Sequence, residues 1–508
     1  SLVIGYLRNQ GFINSLDELE SVQVDWDTNS AAVKTINGIN KFENKLTHKI
    51  VTSGCGQGTT FGGIWDELKN KEIKSSKLKQ STIYKMLKLL HDKNEVYRSS
   101  GAVHGCALCD GNTILEFIED VGRHNAVDAI AGNMWIKNLN SEKKILWHQA
   151  LIHRWIEDNP PSFGNGWEPY PTSLRIVNWI KYFLRHNHID NDWLESLAKQ
   201  TQHLYKNIEY GVCGNHLLAN AKALIFSGLF FEGDHARIWL KKGQEILTSE
   251  LSEQVLNDGG HFELSPMYHS IILEDLIDLY SLFDAYGLNK KKIVEGEIIK
   301  MFSWLRNMIH SDGEISFFND STFGIAPSLE KLTDFANSMN INMDAVNNNR
   351  LIVMKESGYS RIEMHDYVAI VDHGDTGPLY LGGHSHADTL SFELSLFEKR
   401  VIVNSGISIY AGMIPSNKTD PLRALQRSTS AHSTVNIDGE NSSEVWGAFR
   451  LGRRAKVTEF LAYEENNEVR LFASHNGYRK ILHQRAWNFK ESSICIVDEI
   501  LGRSSEKL

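Results

Sequence analysis

Two histidines one residue apart, His384 and His386, are the residues best placed to do chemistry. They follow a Gly-Gly pair and precede an alternating apolar run, Leu390 to Leu394, whose period of two predicts a strand. On an extended backbone the side chains of residues i and i+2 point to the same side. Both imidazoles could therefore serve one site as acid, base or metal ligand. The alternative is a pair of bonded core histidines, and these residues alone leave both interpretations open.

Two stretches further upstream place polar side chains at the start of an apolar helix. Asn215 and His216 open the helical run Gly214–Phe231, and Tyr268 lies in the first turn behind Ser265, a predicted N-cap. Taken singly, Asn215 is typical of a cap and Tyr268 of a core residue with a bonded hydroxyl. Each is also a group that can donate or accept a hydrogen bond at a functional site.

A third candidate is Cys55, which is flanked by glycines in Ser53–Gly58. A flexible loop exposes a thiol and lets backbone N–H groups approach it, as a reactive thiolate requires. The alternative is a small buried residue in a turn. Cys106 and Cys109 form a lone CxxC, and without a second pair this spacing favours packing in a helix or strand over zinc.

Length and composition limit the structural and functional classes to which this protein can belong. A chain of 508 residues is too long for one core and predicts two or three domains. The net charge of −10 argues against nucleic-acid binding, so a site for an anionic sugar must be a local basic patch. The five cysteines show no disulfide pattern. The chain contains no apolar run of about 18 residues, so no membrane span is predicted. The chain begins without Met or a signal peptide, so we expect a processed or cut fragment, and export cannot be predicted.

The periodicity of apolar residues divides the chain into three segments. Residues 1–137 mix short helices and strands, and a polar, charge-rich stretch around residues 132–144 predicts the boundary. Residues 141–345 are helical nearly throughout, and residues 346–508 change to the period of strands. The predicted fold class is multidomain α+β: a mixed α/β segment, a bundle or toroid of helices, and stacked antiparallel sheets.

Individual elements follow from the same patterns. Thr172 is the predicted N-cap of one helix. Strands are predicted at Leu390–Leu396 and Thr434–Ile437, among others.

Three separated motifs occur in one order: Gly382–Leu394, Val401–Gly406 and Arg427–Gly439. Together they resemble the C-terminal half of the heparinase II/III-like polysaccharide lyases, and the similarity runs from about residue 140 to the end. The resemblance implies an (α/α) toroid over residues 141–345 and an antiparallel β-sandwich over residues 346–508. Because the chain ends soon after a strand, we expect the sandwich to lack its final strands. It also implies β-elimination of an anionic uronate polysaccharide.

The resemblance further implies roles for single residues. Asn215 and His216 match the family's catalytic Asn-His pair, which would neutralise the uronate carboxylate. Tyr268 matches its catalytic Tyr and is suited to protonating the leaving oxygen. For one stereochemistry Tyr268 would also take the proton, and for the other the base would be His384 or His216.

A structural zinc or other divalent metal in the sandwich is also implied. His386 and His432 resemble the metal-holding histidines of relatives, and the third ligand position is Asn404, where relatives tend to have Asp. An amide is a poorer zinc ligand than a carboxylate. His432 could equally bond within the sheet.

Substrate-binding residues are predicted in Gly166-Trp-Glu-Pro-Tyr-Pro and just beyond it. Trp167, Glu168, Tyr170 and Arg175 could line a sugar cleft, stacking on a ring face and pairing a carboxylate. The alternative is a packed Trp under a Pro-rich turn. Arg427, at the start of the third motif, is a further predicted substrate-binding residue.

The first 137 residues resemble the formate dehydrogenase accessory sulfurtransferases. The resemblance rests on the Cys55 loop, on Ser99–Asp110 and on Glu119–Asp128, and it stops near Ala131, so this domain is expected to be partial. It implies sulfur transfer as a Cys55 persulfide to a molybdenum cofactor, with a molybdoenzyme or a cysteine desulfurase as partner. Gly58 stands where many members have a second cysteine.

Three hypotheses result. The first is a polysaccharide lyase, which would meet its polymer in the periplasm; the second is a cytoplasmic sulfur carrier; the third is a non-catalytic carbohydrate-binding fusion. Because the two halves imply different compartments, the localisation stays open. The lyase is favoured because its segment is the longer one and its catalytic set is complete.

Overall fold

The computed structural model describes residues 1–10, 12–25, 30–36, 49–51, 59–61, 80–94, 104–110, 113–120, 123–137, 141–186, 189–343, 349–410 and 419–502. They form two compact units, Ser1–His153 and Arg154–Leu508. The division falls inside the helix Ser141–Asp158, and the three domain limits given above stay predictions. The predicted Cys55 loop lies outside the described residues.

The smaller unit combines short helices with pairs of antiparallel strands. Its helices are Leu2–Asn9, Gln80–Lys93 and Arg123–Lys137, with a 3-10 turn at Leu16–Glu18. Its strand pairs are Leu19–Asp25 with Ser30–Thr35, Lys49–Val51 with Thr59–Phe61, and His104–Asp110 with Thr113–Asp120. Cys106 and Cys109 both lie in a strand, opposite Ile118 and Ile114. The described residues contain no group of three His, Cys, Asp or Glu that could hold a metal ion.

The first half of the larger unit is helical, as predicted. Its helices are Pro169–Leu184, Asn191–Lys206, Gly214–Phe230, Asp234–Gln254, Pro266–Ala285, Lys291–Asn307 and Leu329–Ser338, with a 3-10 turn at Asn165–Trp167. Within the described part of the chain, no helix is long and apolar enough to cross a membrane.

Helix starts decide where the functional residues lie. Ser265 is the N-cap predicted for Pro266–Ala285, and its hydroxyl accepts the Tyr268 N–H at 3.2 Å. The prediction of Thr172 as an N-cap is wrong, because the cap is Glu168, four residues earlier, with proline at N1. Asn215 is not a cap either: Cys213 holds that position at φ 62°, and Asn215 lies in the first turn.

The second half of the larger unit consists of antiparallel sheets. The first sheet contains five strands in sequence order, Leu351–Met354, Tyr359–Glu363, Tyr367–Asp372, Phe392–Leu396 and Lys399–Ile402. The second contains four, Val457–Glu465, Glu468–Tyr478, Ile481–Lys490 and Ser493–Gly502. Between them lie a hairpin, Val445–Trp446 with Arg450–Leu451, a short helix Pro421–Gln426 and a 3-10 turn Thr429–Ala431. One apolar core contains side chains of both sheets, among them Ile362, Phe392, Leu471 and Trp487.

Two predicted strands differ from the observed ones. The strand after the histidine motif begins at Phe392, because Leu390 has a φ of 63°, outside the extended region. The predicted strand Thr434–Ile437 is wrong, since this segment has only an isolated bridge from Ile437. A side-chain hydrogen bond is found there instead of backbone pairing between strands: the Thr434 hydroxyl donates to the Thr389 carbonyl at 2.9 Å.

Candidate functional site

Residues that are far apart in sequence meet where the first turns of the helices Gly214–Phe230 and Pro266–Ala285 lie close to the loop that carries His384. The Asn215 N–H donates to Glu263 Oε1 at 3.1 Å, and Glu263 Oε2 lies 3.5 Å from His384 Nε2. The His384 ring lies against the Tyr268 ring, with 4.0 Å between centroids. The structure therefore brings Asn215, Tyr268 and His384 into one continuous set of contacts, joined by Glu263.

Asp320 is the buried centre that holds both histidines of the motif. His384 donates from Nδ1 to Asp320 Oδ2 at 2.8 Å, and His386 donates from Nε2 to Oδ1 at 2.8 Å. Both imidazoles thus face one group, as expected for residues i and i+2. Arg423 donates to both carboxylate oxygens, with Nη2 at 2.8 Å from Oδ2. Burial by itself raises the pKa of Asp320, but these hydrogen bonds outweigh it and hold the pKa well below its usual range.

Tyr268 is held as a neutral phenol. Its hydroxyl is 2.7 Å from that of Tyr410, and burial, with Tyr410 beside it, raises the pKa of Tyr268 well above its usual value. Tyr410 in turn stacks on Phe449, with 5.7 Å between ring centroids and 24° between planes. A phenol kept protonated at neutral pH is a suitable proton donor.

His216 belongs to a second group beside the first. Its Nδ1 is 3.1 Å from Glu209 Oε1, and its ring stacks on Tyr170 at 4.3 Å and 27°. Burial raises the pKa of Tyr170 to about 12, and the Asn215 side chain hydrogen-bonds this hydroxyl. Of the four residues predicted around residue 170, Tyr170 is the one that contacts the candidate catalytic pair.

Trp167 and Arg175 instead belong to the packing of the helices. Trp167 is buried against Trp155, at 5.8 Å between ring centroids. The Arg175 guanidinium lies 3.8 Å over the Trp155 ring and donates to Gln200 Oε1 at 2.7 Å. Burial lowers the pKa of Arg175 to about 10. These contacts favour the packing alternative for both residues, while Glu168 is exposed at the helix start.

The prediction that Arg427 binds substrate is wrong, because its side chain is buried and its donors are used. Its guanidinium donates to the carbonyls of Ser385 at 3.0 Å, Gly382 at 3.2 Å and Gly447 at 3.2 Å. Arg427 therefore fixes the loop that carries His384.

His386 and His432 meet through their remaining nitrogens. His386 Nδ1 is 3.1 Å from His432 Nε2, while His432 Nδ1 donates to the Ser428 carbonyl at 2.7 Å. The N–H of His386 donates to Asp320, and the N–H of His432 donates to the Ser428 carbonyl. In the neutral rings, the two nitrogens that face each other therefore both carry lone pairs. Two nitrogen ligands of a tetrahedral zinc lie roughly 3.3 Å apart, so the pair fits two imidazole ligands.

Asn404 offers a neutral third group. It is 2% exposed, and among the described residues neither its amide oxygen nor its amide nitrogen has a hydrogen-bond partner. An unpartnered buried amide is costly, so Asn404 suits a weak ligand position. The donor set that the sequence predicts thus consists of two imidazoles and one amide.

Sequence reasoning missed the residues that connect the site. Glu263, Asp320, Arg423 and Tyr410 stand in no recognisable motif, and their partners are remote in sequence. One feature of the sequence could have indicated Glu263. It is an acidic residue between two apolar ones, Phe262 and Leu264, and it lies five residues before Tyr268.

Comparisons with known families match both parts of the chain. The family described as "Heparinase II/III N-terminus" matches residues 131–341, and "Heparinase II/III-like, C-terminal" matches residues 347–508. The FdhD/NarQ family matches residues 1–149.

Individual relatives agree with this division. A "Heparin-sulfate lyase" of Bacteroides stercoris is 27% identical over 364 residues, which cover 66% of this chain and 52% of that protein. A "Sulfur carrier protein FdhD" of Staphylococcus aureus is 31% identical over 180 residues, covering 35% of this chain and 68% of that protein. A crystal structure of heparinase III superposes with a TM-score of 0.59 at 21% identity, covering 71% of this chain and 60% of that one. The chain spans about half the length of the curated lyase it matches, and the structural likeness shows a shared fold.

Proposed function

This chain belongs to the heparinase II/III family over residues 131–341 and 347–508 and to the FdhD/NarQ family over residues 1–149, and from that premise we propose that its larger unit is a polysaccharide lyase. The enzyme cleaves uronate-containing polysaccharide by β-elimination. The observation that carries this proposal is the continuous contact of Asn215, Glu263, His384 and Tyr268. We further propose that the helices form an (α/α) toroid and the sheets a β-sandwich, which the core common to both sheets supports.

Elimination begins at a weakly acidic C–H bond beside the uronate carboxylate. The proton leaves only if the negative charge that develops on the carboxylate is neutralised, as in an oxyanion hole. The Asn215 amide and the imidazole of His216 are the donors for this role, since both lie beside Tyr170 at the helix start. Each such donor contributes about 10²–10³-fold to the rate.

The acid and the base are Tyr268 and His384. His384 Nε2 takes the proton from carbon, the electron pair forms the carbon–carbon double bond, and the glycosidic carbon–oxygen bond breaks. The Tyr268 hydroxyl gives its proton to the leaving oxygen.

An ultraviolet absorbance assay for conjugated unsaturated uronate tests the proposal. Heparin and heparan sulfate are tested first, because the Bacteroides stercoris relative is named a "Heparin-sulfate lyase". Other uronate polymers follow. We expect absorbance to grow on at least one polymer. Tight oligosaccharide binding without any absorbance growth would favour the non-catalytic carbohydrate-binding alternative and reject the lyase.

The hairpin Val445–Leu451 supplies a sugar-stacking side chain that the sequence did not single out. Trp446 is 58% exposed and lies opposite the exposed Arg450 in register, so both side chains point to one face. The hairpin adjoins the site because its Phe449 stacks on Tyr410. An exposed indole can stack on a sugar ring while Arg pairs an anionic group.

Trp446→Ala is therefore expected to raise KM several-fold, with a smaller change in kcat, since one aromatic contact contributes about 0.5–1.5 kcal/mol. Steady-state kinetics on the best polymer measures this. Phe397→Ala is the matched control, because Phe397 is 71% exposed at a hairpin turn of the five-stranded sheet. Equal KM values in the two variants would contradict the assignment.

For the metal, we propose that His386 and His432 would hold a divalent ion with Asn404 as a weak third ligand. The ion would supply a structural cross-link between the His384 loop and the segment of His432. Because a carboxylate binds zinc better than an amide, Asn404→Asp is expected to raise the zinc retained per chain after dialysis. Elemental analysis measures this.

Asn404→Ala is the control for the zinc measurement and should retain no additional zinc. His432→Ala in the Asn404→Asp background should abolish the gain. Equal zinc content in the Asp and Ala variants would reject Asn404 as a ligand position.

A second candidate function rests on the FdhD/NarQ match and on the 31% identity to the Staphylococcus aureus sulfur carrier. We propose that Cys55 carries sulfur as a persulfide for a molybdenum cofactor. Incubation with a cysteine desulfurase and cysteine is expected to add one persulfide, detected by mass spectrometry. Cys55→Ser should lose it, and Cys106→Ser should keep it. A persulfide retained in Cys55→Ser would contradict this role.

A further inference from the structure

Glu209 lies in the loop before the helix Gly214–Phe230, and its carboxylate is hydrogen-bonded at both oxygens. Oε1 is 3.1 Å from His216 Nδ1, and Oε2 accepts from Asn220 Nδ2 at 3.0 Å. Asn220 is fully buried, and its Oδ1 accepts the Glu209 backbone N–H at 3.0 Å. Because this last bond identifies the oxygen of the amide, the nitrogen faces the carboxylate. Asn220 therefore holds Glu209 in place against His216.

The contact with Glu209 determines where the His216 ring carries its protons. The ordinary pKa of an imidazole exceeds that of a glutamate by about two, so Nδ1 donates and Oε1 accepts. In a neutral ring, Nε2 would then have only a lone pair and could not donate to a carboxylate. The imidazolium has an N–H at both nitrogens. The His216 side chain is 32% exposed, and among the described residues Nε2 has no hydrogen-bond partner, so Nε2 is available to a substrate.

The other groups that face His216 also favour a positive charge on the ring. The ring stacks on Tyr170 at 4.3 Å between centroids and 27° between planes, and the face of an aromatic ring attracts a cation. Glu263 is a second carboxyl group whose charge interacts favourably with that of His216. Burial raises the pKa of Tyr170 to about 12, so this phenol stays neutral. Three different segments of the chain thus contribute a group that stabilises the imidazolium.

We propose that Glu209 is a positioning residue that holds His216 as an imidazolium, whose Nε2–H donates to the uronate carboxylate beside the Asn215 amide. A hydrogen bond from a charged donor is roughly twice as strong as one from a neutral donor, and the cation also cancels the negative charge. An imidazolium has no lone pair, which leaves His384 as the base. This inference rests on the proposed lyase function and deepens it, because Glu209 lies in none of the motifs that carry the family resemblance.

A double-mutant cycle tests whether Glu209 acts through His216. Glu209→Gln keeps the size of the side chain and an acceptor for Asn220 but removes the charge. On the polymer that the wild type cleaves fastest, kcat/KM should fall by about tenfold or more, because the charged donor is lost. In the His216→Gln background the same substitution should have no further effect. Equal reductions in the two backgrounds would overturn the proposal.

Glu245→Gln is the matched control for the kinetic measurement. The Glu245 side chain is 53% exposed, and its nearest cations, Lys241 and Lys242, are 4.0 and 3.9 Å away. This substitution should leave kcat/KM unchanged. Circular dichroism and thermal unfolding establish that the variants are folded.

Nitrogen NMR of the full chain with isotopically labelled histidine decides the charge of His216 without any substrate. The signals that disappear in His216→Gln belong to this ring. At neutral pH both nitrogens of the wild type should appear at the position of protonated nitrogens, and in Glu209→Gln one of them should move to the position of a nitrogen with a lone pair. A lone-pair nitrogen in the wild-type ring would overturn the inference. If the wild-type protein releases no unsaturated product from any polymer, the lyase function fails, and the NMR result alone still decides whether His216 is a cation.

Discussion

Tyr268→Phe is expected to reduce unsaturated-product formation by about 10²–10⁴-fold, the range for loss of a general acid. The phenylalanine ring preserves the contact with the His384 ring, so binding should change far less than turnover. What is lost is the proton for the leaving oxygen and the hydrogen bond to Tyr410. Since the lost interaction acts in the transition state, kcat and kcat/KM should fall together.

Tyr286→Phe is a matched control for this variant. Tyr286 follows the C-terminal end of the same helix, and its hydroxyl donates to the Leu229 carbonyl at 2.9 Å, in an exposed position. Its removal should leave turnover unchanged. If Tyr268→Phe kept more than about one tenth of the wild-type kcat, the general-acid role would be excluded.

Asp320→Asn is expected to cost stability and activity together. The substitution leaves the buried Arg423 guanidinium without its charge partner and puts an amide N–H₂ where His384, His386 and Arg423 all donate. Removing one partner of a buried ion pair typically costs about 3–5 kcal/mol. Urea unfolding of the larger unit should show a loss of this size, and the lyase activity of the remaining folded protein should fall as well, because His384 loses its orientation.

Asp312→Asn provides the contrast. Asp312 accepts from Arg400 Nε at 2.7 Å and from Nη2 at 3.1 Å, but its side chain is 35% exposed. An exposed pair contributes about 0–1 kcal/mol. If the two variants lost equal stability, Asp320 would not be the buried centre of the site.

Much of the fold follows from periodicity and capping. The helix Pro266–Ala285 has the predicted limits because Ser265 caps it and proline suits N1, and the change from helices to antiparallel strands occurs where the period changes. The misplaced Thr172 cap has a physical reason: Pro169 suits N1, and it starts the helix four residues earlier than a cap at Thr172 would. Local patterns cannot choose between two acceptable starts.

The site was predictable in its motifs but not in its connections. His384, Tyr268 and Asn215 stand in recognisable stretches, whereas Glu263 and Asp320 act through partners that only the tertiary structure brings near. Arg427 shows the opposite failure. A guanidinium in a functional motif suggests an anion ligand, yet burial turns its donors toward the carbonyls of Ser385, Gly382 and Gly447.

The measurement that tests the β-elimination most directly is mass spectrometry of the oligosaccharides released in isotopically heavy-oxygen water. Elimination breaks the glycosidic bond without adding water, so the new non-reducing ends should carry a double bond and the products no heavy oxygen from the cleavage. Tyr268→Phe should release none of these products. Saturated products that contain the heavy oxygen would show hydrolysis and contradict the assignment of Tyr268 and His384 as the acid and base of a lyase.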